Sequence, residues 1–243
     1  MIFDLLKRKW AEYLLEILVI IISILAAFSL ERWNESRKER LLEADYYCKI
    51  LEDINQDIAL LELREVENQE RIANGNLLIS LLQHKNVDSH DLVNLLRLSI
   101  TKTASIFTPS DAAFEDLKSS GNLNIIQDQE IKDELIKFYS EVEGYISLLD
   151  VNSQFTLETY YSSNKNFAEL GWHQIDYVAD ELDEAVVDIN ALDNNVKLTD
   201  AMRSQLQSDA LFYLTTNARK KRLYKDLSVE LIQMQSLLSK KCQ

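Results

Sequence analysis

Residues 13–30 read YLLEILVIIISILAAFSL, an apolar run broken once, by Glu16. Lys7, Arg8, Lys9 and Trp10 precede it, and Arg32 and Trp33 follow. A helix crossing a bilayer core needs about 20 apolar residues. The run and its flanks reach that length. Trp10 and Trp33 are 23 residues apart, about 34 Å of helix. Tryptophans at that separation match the aromatic belts of two membrane interfaces. We therefore expect a short basic tail over residues 1–12 and a transmembrane helix over residues 13–33. The expected interfacial anchors are Trp10, Trp33, Lys7, Arg8 and Lys9. A cleaved signal peptide is the rival reading, but its apolar core is shorter and ends in a small-x-small site. Here Phe28-Ser29-Leu30-Glu31-Arg32 leads straight into charged helix formers, which favours an uncleaved anchor.

Orientation rests on basic residues. Lys7-Arg8-Lys9 on the short N-terminal side favours a cytoplasmic N-terminus. Arg32, Arg37, Lys38 and Arg40 on the other flank blunt that signal. The anchor's N-terminal place tips the balance toward a bundle outside the cytoplasm. In a bacterial inner membrane that means the periplasm.

Glu16 is the intramembrane functional candidate, because an ionisable group in lipid is costly. Three readings compete. It snorkels to the near headgroups, three residues beyond Tyr13; it pairs with Lys7, Lys9 or a second subunit; or it carries protons or ions. Ser23 and Ser29 are the other polar groups in the run, and no second charge is present to build a relay.

The formal net charge is −14 over 243 residues, and the isoelectric point is near 4.7. Residues 1–30 balance Lys7, Arg8 and Lys9 against Asp4, Glu12 and Glu16, so the excess acid lies beyond the apolar run. Such a domain repels nucleic acid and anionic lipid surfaces. The one candidate patch for nucleic acid, Arg219-Lys220-Lys221-Arg222, reads best as a solvated helix face or an intersubunit ion-pair strip. No nucleic-acid partner is expected.

One proline and four glycines are too few for a sheet or a loop-rich fold, so the fold class is all-α. The transmembrane helix should run on as a stalk, and residues 34–243 should form an elongated antiparallel bundle. With position a at Leu51, the seam runs Leu51, Ile54, Ile58, Leu61, then breaks at Glu65 and Asn68. It resumes at Ile72, Gly75, Ile79 and Leu82. A helix over residues 89–98 should follow, and Pro109 should punctuate. Ser110 reads as an N-cap and Gly121 as a left-handed C-cap. Ile131, Leu135, Phe138, Val142, Tyr145 and Leu149 mark the next long helix. An acidic helix is expected over residues 175–189. Thr199 opens a last one, with its seam at Tyr224, Leu227, Leu231, Met234 and Leu238. Long helices with short turns pack antiparallel at small angles.

Chemistry is sparse. His84, His90 and His173 lack the spacing of metal ligands on one helix face. Cys48 and Cys242 have no CxxC neighbour, and no disulfide framework is expected. In an oxidising compartment, parallel stalks would permit a Cys48–Cys48 cross-link between copies. No nucleophile elbow or phosphate loop occurs. The expectation is no catalytic residue, no metal, no cofactor and no enzyme. The aromatic group Tyr160, Tyr161, Phe167 and Trp172 reads as a hydrophobic cap, with a partner-docking surface as the sharper alternative.

The stretch LLEILVIIISILAAFSLERWNESRKER resembles the N-terminal signature of a domain-of-unknown-function family of bacterial one-span membrane proteins. Glu16, Ile17, Trp33, Asn34, Glu35, Arg37 and Lys38 carry the likeness. A second stretch, TPSDAAFEDLKSSGNLNIIQDQEIKDELIKFY, is similar at Ser110, Leu117, Ser120, Gly121, Leu123 and Tyr139. The resemblance implies a bacterial membrane location and a helical fold, and assigns no activity. Ala26 and Ala27 depart from its more aliphatic spans and would permit close helix contact.

Together these readings point to a membrane-anchored helical scaffold or sensor, homo-oligomeric, in contact with lipid and with a protein partner. The alternative is an oligomeric membrane effector or ion-channel component built around Glu16.

Overall fold

The chain's single proline lies at position 109, so the first helix grows unchecked. In the computed structural model, α1 runs from Ile2 to Leu82, 81 residues, about 120 Å long. The structure describes residues 2–84, 87–162, 181–183, 185–188 and 198–242, with the backbone alone for residues 2–9, 11, 89 and 90. Beyond α1 come α2 (Ser89–Ile100), α3 (Ala112–Ser119), a 3-10 turn (Asn122–Ile125), α4 (Gln129–Ser162) and α5 (Asp200–Leu238). The fold is all-α among the described residues.

Among the described residues, one helix is long and apolar enough to cross a membrane. Its best window has mean hydropathy 2.5, and none of that window is buried. Trp10 and Trp33 are exposed at its two ends, as are Glu16, Ser23 and both alanines. The side chains of Lys7, Arg8 and Lys9 lie outside the described residues. Burial begins at Tyr46 and Tyr47, which leaves residues 34–45 as a stalk of about 18 Å.

From Tyr46 onward α1 is the upward central strut of a four-armed bundle. The second arm descends through α2, an irregular stretch over residues 105–111, α3 and the 3-10 turn. Arm three, α4, ascends again. The fourth, α5, descends against α1. Paired contacts fix that antiparallel register: Lys221 Nζ donates to Gln69 Oε1, and nearer the base Gln235 Nε2 donates to Asn55 Oδ1. The seams of α4 and α5 fall where their heptads predict except at Tyr145, which is half-buried; Leu135, Leu149, Tyr224, Leu227 and Leu231 are fully buried. Each such aliphatic side chain contributes about 1.5–3 kcal/mol by leaving water. Gly75 makes room for a side chain of α5, since a Cβ there would sit 3.1 Å from Leu214 Cγ.

Three expectations need correction. First, only half of the α1 seam is where apolar counting puts it. Ile54, Leu61, Asn68, Gly75 and Leu82 are buried. The other half lies one residue earlier, at Ile50, Asp57, Arg71 and Leu78, leaving Leu51, Ile58, Ile72 and Ile79 half-buried. Two of those core positions hold charges, which a search for apolar residues discards. Second, Cys48 and Cys242 form a disulfide, with Cα atoms 4.9 Å apart. Antiparallel packing of α1 and α5 joins residues 194 apart in sequence, so no local spacing announces the pair. A Cys48–Cys48 link between copies is therefore displaced by an internal bond. Third, Ser110 is not the cap of α3, whose N-cap is Asp111 without a side-chain cap bond. The cap comes instead from α1. Gly121 is left-handed at φ 75°, as expected, but the C-cap of α3 is Ser120 and Gly121 is the N-cap of the 3-10 turn. Thr199 caps α5 by accepting from Met202 N at 3.2 Å, as expected. Most of the acidic helix read over 175–189 lies outside the described residues, and Ala185 and Val186 belong to a turn.

Candidate functional site: a polar layer between two apolar cores

The bundle has two apolar cores. The lower one gathers Tyr46, Ile50, Ile54, Phe107, Phe114, Leu135 and the α5 seam from Tyr224 to Leu238. The upper one gathers Leu78, Leu82, Leu92, Leu96, Tyr160, Leu206 and Tyr213. Between them lies a layer of buried polar residues: Asn68, Arg71, Ser99, Thr103, Asn152, Ser153, Thr156, Asn217 and Lys220.

The broken second arm accounts for this layer. Where α2 ends, its last carbonyls and those of the turn over residues 101–104 lack helical partners, and buried carbonyls require donors. Long side chains from the other arms supply them. Asn217 Nδ2 donates to Ser99 O at 3.2 Å. Arg71 Nη1 donates to Thr101 O at 3.1 Å. Lys220 Nζ donates to Thr103 O at 2.7 Å and to Thr103 Oγ1 at 2.9 Å. Ser153 Oγ donates to Thr103 O at 2.9 Å. Cross-links among the donors then fix α1 to α5: Asn68 Nδ2 to Asn217 O at 2.9 Å, and Arg71 Nε to Asn217 Oδ1 at 3.1 Å. At the mouth of the layer Glu67 pairs with Arg64 at 2.8 Å and Lys102 at 2.9 Å. Burial pushes the Glu67 carboxyl up, but Lys102 and Arg64 together hold it below its ordinary range. Lys102 itself is left-handed at φ 57°.

The lower end of the break is served by acceptors. Asp57 Oδ1 accepts from Ser110 N at 2.7 Å, and Asp53 Oδ2 accepts from Ala113 N at 3.1 Å. One turn of α1 thus caps α3 across the bundle. Asp57 is 1% exposed, and burial raises its carboxyl to about 6, against the pull of Ser110 and with Asp53 and Asp111 adding to the rise. The protonated form is favoured in the fold, so this group's contribution to stability falls as pH rises through about 6. Asp57→Asn keeps an acceptor and removes the charge. We expect a higher melting temperature than the parent near pH 7.5, with the gap narrowing toward about pH 4.5. A gap that ignores pH would contradict a buried carboxylate.

The basic cluster divides. Arg219, Lys221 and Arg222 are exposed, as a solvated face requires, but Lys220 is fully buried. Burial lowers its ammonium to about 7, with Arg71 adding to the fall. The aromatic group divides too. Tyr160 is buried in the upper core, with its ring 6.5 Å from that of Tyr213, as a hydrophobic cap requires. Tyr161 points outward. Phe167 and Trp172 lie outside the described residues.

At the base, Tyr46 donates to Asp116 Oδ2 at 2.9 Å, Gln127 N to Glu43 Oε1 at 3.0 Å, and Lys241 meets Asp128 at 3.2 Å. These contacts surround the disulfide and clamp all four arms just above the stalk. Among the described residues, no group of three His, Cys, Asp or Glu side chains is placed to hold a metal ion. Much of the layer's hydrogen bonding runs from side chains of one arm to backbone carbonyls of another, which fixes register between arms, while Asn152 Nδ2 is buried there without a hydrogen-bond partner among the described residues. No family, curated protein or solved structure matches this chain.

Proposed function

We propose that this chain is a membrane-anchored helical interaction protein, homo-oligomeric, which holds a clamped bundle close outside the bilayer as a scaffold or sensor. The observation that carries the reading is α1 itself. One helix carries an apolar segment that is uncovered among the described residues, and continues as the central strut of the bundle. A load or displacement on the bundle is transmitted along that helix to the bilayer.

The disulfide supports the orientation. Such bonds persist in oxidising compartments, and Cys48 and Cys242 lie on the far side of the apolar segment from Lys7, Arg8 and Lys9. Both signals favour a cytoplasmic N-terminus and a periplasmic bundle in a bacterial inner membrane. Glu16 gives the second reading its one observation. It is exposed on α1 within the apolar segment, so copies assembled around it would present a ring of carboxylates at one depth, as an ion-conducting effector needs.

Alkaline extraction of membranes from producing cells tests the anchor. The chain should stay in the pellet, and its release would end this reading. Glu16→Gln separates the two functions. Intact insertion, assembly and ion flux support the scaffold. Loss of flux with insertion and assembly preserved transfers the function to the apolar segment.

A further inference from the structure

Among the described residues, the bundle covers one face of α1 and leaves the opposite face exposed. On the exposed face Ala59, Leu63, Val66, Glu70, Ala73 and Leu77 recur at alternating steps of four and three, and all six are exposed. Leu63, Val66 and Leu77 are each more than half exposed, at 52%, 57% and 56%. The outer face of a bundle helix is ordinarily polar. Here it carries a second heptad stripe, apolar at every place but Glu70.

We infer that this outer stripe pairs with the same stripe of a second copy, as a short parallel coiled coil standing on the membrane. The inference rests on the anchoring proposed above. Two features of α1 select a second copy as the occupant. First, α1 is unbroken from the apolar segment to Leu82. Two anchored copies therefore present the stripe in parallel, at one height and in register. Second, at 3.6 residues per turn, positions about 18 apart point the same way. Ser23, Leu41, Ala59 and Leu77 share one line, and Ala27 lies with Leu63. The outer stripe thus continues the line on which the apolar segment carries small residues, which allow helices in lipid to approach closely. One twofold axis serves both segments.

The stripe is short for a coiled coil in free solution. Confinement of both chains to one membrane raises their effective concentration and offsets that weakness. Glu70 is the cost, since a self-pair sets two Glu70 carboxylates face to face. The association is therefore reversible, and Glu70→Leu should tighten it.

The test is maleimide cross-linking of the full chain in membranes. Leu63→Cys, Val66→Cys and Leu77→Cys should give severalfold more linked dimer than Glu65→Cys and Asn76→Cys, which lie off the stripe. Adding Glu70→Leu should raise the yield. Adding Leu63→Glu with Val66→Glu to Leu77→Cys should abolish it, with helicity and melting of the bundle unchanged. Equal linkage on and off the stripe would overturn the inference, as would absence of linkage in a chain that stays in the membrane pellet. A chain released from the pellet would instead end the anchoring reading, and the pairing with it.

Discussion

Cys48→Ser combined with Cys242→Ser is expected to lower the stability of the bundle by about 4 kcal/mol. The bond closes a loop of 194 residues, and cross-linking a long loop removes much of the freedom of the unfolded chain. For a domain of this size that loss corresponds to a melting temperature lower by roughly 10 °C. The effect should be concentrated at the base. Cys242 lies just past the end of α5, where Leu238 and Met234 complete the lower core. Without the bond, the last turns of α5 keep the exposed Lys241–Asp128 pair, and exposed pairs contribute little. Melting of the parent with and without reductant should reproduce the drop, and the double variant should ignore reductant. A parent whose melting is the same in both conditions would show that the clamp lies elsewhere.

Asn217→Ala is expected to cost about 3 kcal/mol, because it strands two buried groups. Arg71 Nε loses its acceptor, and Ser99 O loses its donor. Lys220→Met should behave differently, although Lys220 is buried just as deeply. Its removal relieves an ammonium that burial and Arg71 both disfavour, and Thr103 O keeps within reach the Ser153 hydroxyl, whose one proton it shares with Leu149 O. At pH 7 the two effects should offset to within about 1 kcal/mol. The pH dependence has a definite sign. In the fold Lys220 loses its proton near 7, well below the ordinary lysine value. Between those two values the unfolded chain binds a proton that the folded chain does not, so this group's contribution to stability rises with pH. Denaturant titrations at about pH 7 and pH 9 should therefore show the parent gaining on Lys220→Met as pH rises. Equal losses for Asn217→Ala and Lys220→Met at neutral pH would contradict the division of roles.

These residues also mark where sequence reading succeeds and where it stops. The apolar run over residues 13–30 and the seams of α4 and α5 are legible because each repeats one physical property at one spacing. Ile131, Leu135, Phe138, Val142 and Leu149 are all buried as their spacing implies. Asp57 and Arg71 occupy the same kind of seam position in α1, yet nothing local marks them as core. Their burial answers a need created elsewhere, in the backbone of residues 99–113, where the second arm stops being helical. Lys220 was hidden among three solvated basic neighbours for the same reason. The disulfide and the cap that Asp53 gives to α3 join residues far apart in sequence, and only the antiparallel packing brings them together. The outer stripe of α1 is legible in the spacing of Leu63, Val66 and Leu77, but the inner frame of the same helix is apolar at more positions.

The most direct test of the account reads anchoring and compartment together. Producing cells are quenched with N-ethylmaleimide, and their membranes are washed at alkaline pH. The pellet is then run on gels with and without reductant. An anchored chain with its bundle in an oxidising compartment should be in the pellet, with both cysteines unalkylated and a mobility that changes on reduction. A chain in the supernatant, or one with Cys48 and Cys242 both alkylated, would contradict it.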